Sequence, residues 1–460
     1  MMELRDVTVS AGARVLARCA ALEARPGEAL VIVGETGSGK SLLAAAMIGT
    51  LPAELDLSGS VRFDGAEVAG DGAKLRALWG RRMALVPQEP WLALDPTMSA
   101  FGQVEEVHRL VRRRGREESR RRTADSLASF GLDRGERRHP FALSGGMCQR
   151  VALAIAHAAD ADLIVADEPT KGLDAALRDE VVALLRQERD RGAALVVITH
   201  DLAVARGLGG RIAVMLESEI VEQGDTATVL AAPRHAYTRR MVEADPERWA
   251  PLPISPLGDV VLGARGLAKR FGARQLFAGL DATFRRGESV AILGPSGSGK
   301  TTVGNVLLGL VRADAGSIAR GAGLPALRYQ KLYQDPAAAF AAGQSLRGAL
   351  DDVARLHRRD WREVERLMER LRLAADLLDR RPDQISGGEL QRFALARTLL
   401  VDPVFLFADE PTSRLDPITQ KDVMLLLAEI TAERGMAMLL VTHDPGLADR
   451  AATRRLALSA

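Results

Sequence analysis

Cysteine is nearly absent from this chain. Cys19 and Cys148 are the two in 460 residues. Two thiols exclude a disulfide framework and a four-cysteine metal cluster, and they fit a reducing cytosol. Aromatic residues make up only 4% of the chain, so an aromatic beside a motif stands out. A surplus of charge is missing too. The 62 basic residues are balanced by 60 acidic ones, for a formal net charge of +2. Nucleic-acid affinity comes mainly from Lys and Arg neutralising phosphates, and this balance gives no reason to expect it. No apolar run nears the ~20 residues needed to cross a bilayer. The start, Met1-Met2-Glu3-Leu4-Arg5-Asp6, has no charged-then-apolar signal pattern. Any membrane role is expected to use other subunits.

What is present comes in duplicate. Gly34-Glu35-Thr36-Gly37-Ser38-Gly39-Lys40-Ser41 and Gly294-Pro295-Ser296-Gly297-Ser298-Gly299-Lys300-Thr301 both fit the phosphate-loop pattern G-x-x-x-x-G-K-[ST]. Each follows an apolar strand and runs into a helix-forming stretch, the context this motif needs. Its glycines let backbone N–H groups close around phosphate oxygens, and the following helix turns its positive end toward the anion. Lys40 and Lys300 are expected at the outer phosphates. They are among the few lysines of an arginine-dominated chain, and the task suits a compact point charge better than a planar fork.

The repeat distance is roughly 240–260 residues, the scale of a domain and not of a solenoid unit. Composition agrees, since 47% hydrophobic residues supply ample cores. Each half alternates β-rich apolar runs with helical patterns. The fold expected is α/β: two P-loop cassettes, each a mostly parallel sheet with an inserted helical subdomain at about 100–140 and 340–385. The expected boundaries are 1–245 for the first cassette, 246–257 for a Pro-rich linker and 258–460 for the second. The second half is expected to stop soon after a last strand at Met438-Leu439-Leu440-Val441.

Each half also has an apolar strand ending in two carboxylates, Leu163-Ile164-Val165-Ala166-Asp167-Glu168 and Phe405-Leu406-Phe407-Ala408-Asp409-Glu410. A strand apolar throughout is buried on both faces, and ligands sit beyond the carboxyl ends of such strands. Ser144-Gly145-Gly146 and Ser386-Gly387-Gly388 precede these strands by similar spacings. Alone, each would read as a helix N-cap.

Together these motifs resemble the ATP-binding cassette (ABC) ATPases, over nearly the whole chain. The resemblance implies ATP and Mg²⁺ as ligands. Ser41, Thr301, Asp167 and Asp409 would hold Mg²⁺, the aspartates through water. Glu168 and Glu410 would polarise the attacking water. Gln88 and Gln334 match the Q-loop, which senses Mg²⁺ and water and leads to the transmembrane contact. His200 and His443 match the switch histidine at the γ-phosphate. Gly172-Leu173-Asp174 and Ser413-Arg414-Leu415-Asp416 match the D-loop. In the family two cassettes sit head to tail, so Ser386 would complete the site of Lys40, and Ser144 that of Lys300. Phe271 fits the aromatic that stacks on adenine. The first half has Val7-Thr8-Val9-Ser10-Ala11-Gly12 there and no aromatic. A stack is worth about 1 kcal/mol, so asymmetry is expected and not a dead site.

Gln88-Glu89-Pro90 with Ala93-Leu94-Asp95-Pro96, and Pro233-Arg234-His235-Ala236-Tyr237-Thr238, resemble the oligopeptide, dipeptide and nickel importer branch. No cysteine-bearing tail follows, which leans toward nickel, a metallophore or another small solute. The resemblance implies two transmembrane permease subunits, an indirect solute-binding protein, and a peripheral place on the cytoplasmic face of the inner membrane. The alternative is a tandem ATPase on a soluble complex of the carbon–phosphorus lyase type. A ribosome-associated factor fits less well, because such factors carry a long charged linker. The Arg-rich run 111–122 reads as a solvated surface, since Glu117 and Glu118 interrupt it.

Overall fold

A computed structural model describes residues 1–132, 137–252, 256–294, 297–412 and 415–458. The chain divides into two compact units, Met1–Val242 and Glu243–Ala460.

In the first unit, five parallel strands lie in the order Arg211–Leu216, Ala29–Gly34, Ala194–Ile198, Leu163–Asp167, Met83–Val86. Ala29–Gly34 and Ala194–Ile198 are buried at every position, as strands covered on both faces must be. The sheet is mixed, however, and larger than its parallel core. It continues through Glu219–Asp225 into the antiparallel strands Arg14–Ala24, Met2–Ala11 and Asp56–Phe63, ten strands in all. Those outer strands alternate buried and exposed residues, the mark of one wet face.

The second unit repeats the parallel order with Arg454–Leu456, Ser289–Ile292, Ala437–Val441, Phe405–Asp409 and Tyr329–Leu332. Its antiparallel strands form a separate three-stranded sheet, Arg274–Arg285, Val260–Phe271 and Ala315–Arg320. The strand at 454–456 extends the sheet beyond the strand at 437–441, where the sequence pattern ends. It is three residues long and begins with two arginines, so no apolar run announces it. Arg454 Nε donates to Glu288 Oε1 at 2.7 Å, a polar pairing that hydropathy does not report.

Helices stand where the inserted subdomains were expected. They are Ala100–Glu106 and Arg116–Ser129 in the first unit, and Leu346–Leu356 and Trp361–Arg370 in the second. In the Arg-rich run, Glu118 accepts from Arg122 at 2.8 Å and Arg112 Nη2 lies 2.6 Å from Asp160 Oδ2. Tyr237 and Thr238 of the importer-like tail are buried, and Glu222 accepts the backbone N–H groups of Arg234 and His235 at 2.8 and 3.0 Å. That tail is therefore a packed anchor.

The Pro-rich segment expected as a linker packs in part on the second unit. Pro246–Arg248 form a short 3₁₀ turn capped by Asp245. Trp249 and Leu252 then enter the core that holds Leu346, Leu350 and Phe393. The Trp249 indole donates to Ala244 O at 2.9 Å, so its one polar group is satisfied in burial. Leu252 N donates to Arg450 O at 2.9 Å. Proline content marks resistance to helix and ladder, and says nothing of whether the neighbouring apolar side chains find a core.

Trp249→Ala is expected to destabilise the second unit by about 3 kcal/mol, the usual cost of deleting a buried large aromatic. Urea unfolding of the 243–460 unit, followed by far-UV circular dichroism, measures this. A change within ~0.5 kcal/mol would mean the segment contributes nothing to that core.

Candidate active sites

Each phosphate loop closes the carboxyl end of a central parallel strand. Helix Lys40–Ile48 begins after Gly39, which has φ 92°, and helix Lys300–Leu308 after Gly299, with φ 97°. A Cβ on Gly39 would lie 2.4 Å from Leu16 O, so only glycine allows the loop to seat against strand Arg14–Ala24. Lys40 is buried, and its ammonium donates to Gly34 O at 2.8 Å and Glu35 O at 2.6 Å. Lys300 donates to Gly294 O at 2.7 Å. Both lysines are folded back onto their own loops, and Ser38 Oγ ties the first loop further by donating to Glu35 O at 2.8 Å. Thr36, Gly37, Gly297 and Ser298 lie on the same loops. Pro295 and Ser296, like Ser413 and Arg414 of the second D-loop, lie outside the described residues.

The carboxylate pairs meet these loops. Ser41 hydrogen-bonds the Asp167 carboxylate, and Thr301 Oγ1 donates to Asp409 Oδ1 at 3.0 Å. Burial raises the carboxyl pKa of both aspartates. The bond from Ser41 moderates it for Asp167, and Lys331 and Thr301 moderate it for Asp409.

The next residue, Glu168 or Glu410, sits at φ 48° in both units. A left-handed glutamate is strained, and such strain persists where the surroundings over-determine it. Here each backbone N–H is pinned across the sheet, Glu168 N to Ile198 O at 2.8 Å and Glu410 N to Val441 O at 3.0 Å. The turn brings the side chain to the histidine that follows the neighbouring strand. His200 Nδ1 is 2.9 Å from Glu168 Oε1, and His443 Nε2 pairs with Glu410 Oε1. Burial pushes the Glu168 carboxyl up, but the charge and hydrogen bond of His200 outweigh it and hold the carboxyl below its ordinary value. Burial likewise pushes His200 down, and Glu168 outweighs it, so the imidazole is raised. The two form a charged pair.

The glutamines differ. Gln334 Nε2 donates to Glu410 Oε2 at 2.6 Å, joining Gln334, Glu410 and His443 in one chain of contacts. Gln88 is half-buried just beyond Val86, and Glu168 Oε2 is buried without a hydrogen-bonding partner. Asp167 Oδ1 is also buried and unpartnered. Two unsatisfied carboxylate oxygens, beside a serine hydroxyl, fit a hydrated divalent cation.

Ser144 Oγ caps helix Gly145–Ala158 by accepting from Met147 N, and Ser386 caps Gly387–Leu399 with a reciprocal box to Glu389. Gly146 and Gly388 lie in the first turns of those helices. Asp174 and Asp416 cap the helices Ala175–Asp190 and Pro417–Arg434. Phe271 ends strand Val260–Phe271 and is 55% exposed, so it is not a core residue. Lys331 was not found from sequence. Its Nζ lies 3.3 Å from Asp409 Oδ2. The available signal was a lysine inside the short strand Tyr329–Leu332, where the first half has Leu85.

Known proteins agree with this geometry. The family described as ABC transporter matches residues 18–171 and again 277–413. This chain belongs to the ABC transporter ATPases, with two cassettes in one polypeptide. It is an ATP-binding ATPase by that membership. It is 31% identical to the uncharacterized ABC transporter ATP-binding protein YejF of Escherichia coli K12, over 94% of this chain and 88% of that one. It is 32% identical to the peptidoglycan transport ATP-binding protein YejF of Agrobacterium fabrum, over 96% and 88%. It is 31% identical to the glutathione import ATP-binding protein GsiA of Escherichia coli O6:H1, over 93% and 79%. Among solved structures, the archaeal ribosome recycling factor aABCE1, in complex with stalk protein aP1, superposes with a TM-score of 0.69. It covers 96% of this chain and 84% of that one at 24% identity, a likeness of fold alone.

The Glu168–His200 pair predicts a pH window. The raised histidine stabilises the fold fully below its ordinary 6.5, and that contribution is lost as pH rises through its folded value. The depressed glutamate contributes above its ordinary 4.5 and loses this as pH falls through its folded value. The stability gap between the parent and His200→Ala should therefore be widest between these limits and narrow on both sides. Urea midpoints measured from pH 4 to 9 would reveal it, and a gap independent of pH would dismiss the charged pair.

Proposed function

We propose that this chain is the energy-coupling subunit of an importer for a small peptide-like solute. It would work with membrane-spanning permease subunits and, indirectly, a solute-binding protein. The observation that carries the reading is an apolar groove beside the first Q-loop. It encloses about 300 Å³ and is lined by Ile48, Trp79, Met83, Leu85, Val107 and Ile155. Trp79 is 41% and Leu85 44% exposed, and Trp91 and Leu92 lie exposed just past Gln88. An apolar groove of this size, along the strand that leads to Gln88, suits an amphipathic helix of a partner. Among the described residues no helix is long and apolar enough to cross a membrane, so that helix would belong to another subunit. Relatives named for peptidoglycan transport and glutathione import favour a solute containing peptide bonds over nickel. A place on the cytoplasmic face of the membrane accompanies this reading.

Lys40 and Lys300 would leave their loop carbonyls for the outer phosphates of ATP, and Phe271 would stack on adenine at the second site. Mg²⁺ would be held by Ser41 or Thr301 and, through water, by Asp167 or Asp409, with Gln88 and Gln334 alongside. It would supply charge neutralisation on the phosphates. In the first site His200 already holds Glu168 Oε1, which leaves Oε2 to accept a hydrogen bond from the attacking water. Water would attack the γ-phosphorus and give its proton to Glu168 Oε2 as the bond to the β-γ bridging oxygen breaks, and ADP and inorganic phosphate would leave. In the second site Gln334 must first yield Glu410 Oε2. Ser386 and Ser144, with Gly145, Gly146, Gly387 and Gly388 at their helix N-termini, would contact the γ-phosphate of the opposite cassette.

Glu168→Gln with Glu410→Gln is expected to keep ATP binding and lower turnover by about a hundredfold or more. Near-normal hydrolysis would remove the water-polarising assignment. The partner assignment rests on affinity purification from detergent-solubilised membranes and, separately, from the soluble fraction. Multi-span proteins should co-purify from the membranes. Recovery only with soluble enzymes would replace transport by action on a soluble complex.

A further inference from the structure

The two metal aspartates are not equally provided for. Lys331 pairs in register with Phe407, and the matching place in the first unit pairs Leu85 with Val165. The Lys331 ammonium lies 3.3 Å from Asp409 Oδ2, and the two side chains are 11% and 4% exposed. It donates to Asn305 Oδ1 at 3.0 Å and stands 5.2 Å from the centroid of Phe407 and 5.0 Å from that of Tyr333. Asn305 is five residues past the loop lysine, where the first unit has Ala45. Between them Gly304 makes room, because a Cβ there would fall 2.2 Å from the Phe407 ring. Leu85, Ala45 and Val165 of the first site thus become Lys331, Asn305 and Phe407 of the second. The result is a dry nest holding one positive charge against the aspartate.

Both Asp409 oxygens consequently have protein partners, Thr301 on Oδ1 and Lys331 on Oδ2. Asp167 Oδ1 has none. We propose that Lys331 is a resident counter-cation at the second site, and that the second cassette therefore takes its divalent metal more weakly than the first. A water on the metal must share Oδ2 with an ammonium that cannot withdraw into solvent, and two positive charges meet where screening by salt is poor. At limiting Mg²⁺ the first site would load first. This inference rests on the reading that both sites bind metal–ATP.

The test uses the full chain with Glu168→Gln and Glu410→Gln to prevent turnover, Mn²⁺ as the probe, and electron paramagnetic resonance to count free metal in the presence of ATP. Two classes of nucleotide-dependent Mn²⁺ sites should appear, the weaker by about tenfold. Ser41→Ala should remove the tighter class and Thr301→Ala the weaker. Lys331→Met should bring the weaker class up to the tighter, and Lys331→Arg should leave it where it is. Building the nest in the first unit, with Leu85→Lys and Ala45→Asn, should weaken the tighter class, which keeps the test open if Lys331→Met does not fold. A single class in the parent, or two classes that Lys331→Met leaves apart, overturns the inference. Absence of any nucleotide-dependent Mn²⁺ binding overturns instead the reading on which it rests.

Discussion

A carboxylate pair at the end of a fully buried strand is the constraint on which both cassettes depend. Strands Leu163–Asp167 and Phe405–Asp409 are covered on both faces, so their direction and register are fixed by packing. The chain then turns through a left-handed glutamate instead of running on. That turn is costly for a residue with a Cβ, and its backbone bond to the next strand holds it in place. It separates two neighbouring carboxylates into two tasks. The aspartate faces the phosphate-loop hydroxyl, and the glutamate faces the histidine of the adjacent strand. Without the turn, period-two alternation would send the side chains to opposite faces of the sheet.

The same constraint explains why the Glu168–His200 pair of the first site is charged before any ligand arrives. A buried carboxylate without a partner would be driven neutral. His200 keeps Glu168 ionised by ionising itself, while at Asp167 burial outweighs the Ser41 hydroxyl and the charges of Lys40 and Lys171 and pushes the carboxyl upward. The loop lysines are held in reserve on backbone carbonyls, contacts that are weaker partners than phosphate oxygens. Charge is therefore stored in pairs that a nucleotide would rearrange, while the buried, unpartnered oxygens of Asp167 and Glu168 still carry a desolvation cost.

Much of this was legible in the sequence, for a definite reason. Phosphate loops, acidic strand ends and capped glycine turns are local: residue type and spacing determine the geometry, so Gly39, Lys40, Asp167, Glu168 and Ser386 could be placed from the chain alone. The parallel core was legible because its strands are apolar at every position. What was not legible depends on partners distant in sequence. Strand Arg454–Leu456 is held by Glu288, 166 residues away. Trp249 and Leu252 looked like linker because prolines surround them, yet they join a core whose other members lie between Leu332 and Ala451. Lys331 carries no motif of its own, and only the fold brings Asn305 and Asp409 to it.

Duplication followed by divergence also explains where the two sites differ. The backbone devices are shared to within a few degrees, with φ 92° and 97° at the cap glycines and 48° at both glutamates. The differences are confined to side chains around that frame. The second site has a glutamine on its glutamate and a lysine against its aspartate. The first has an apolar groove next to its Q-loop strand, lined in part by Leu85, the counterpart of Lys331. One strand position thus lines an apolar groove in one cassette and carries a buried ammonium beside an aspartate in the other. A residue cannot do both, since an ammonium pointed at the aspartate leaves no apolar wall. The two halves share their backbone devices and differ in the side chain placed at that one register.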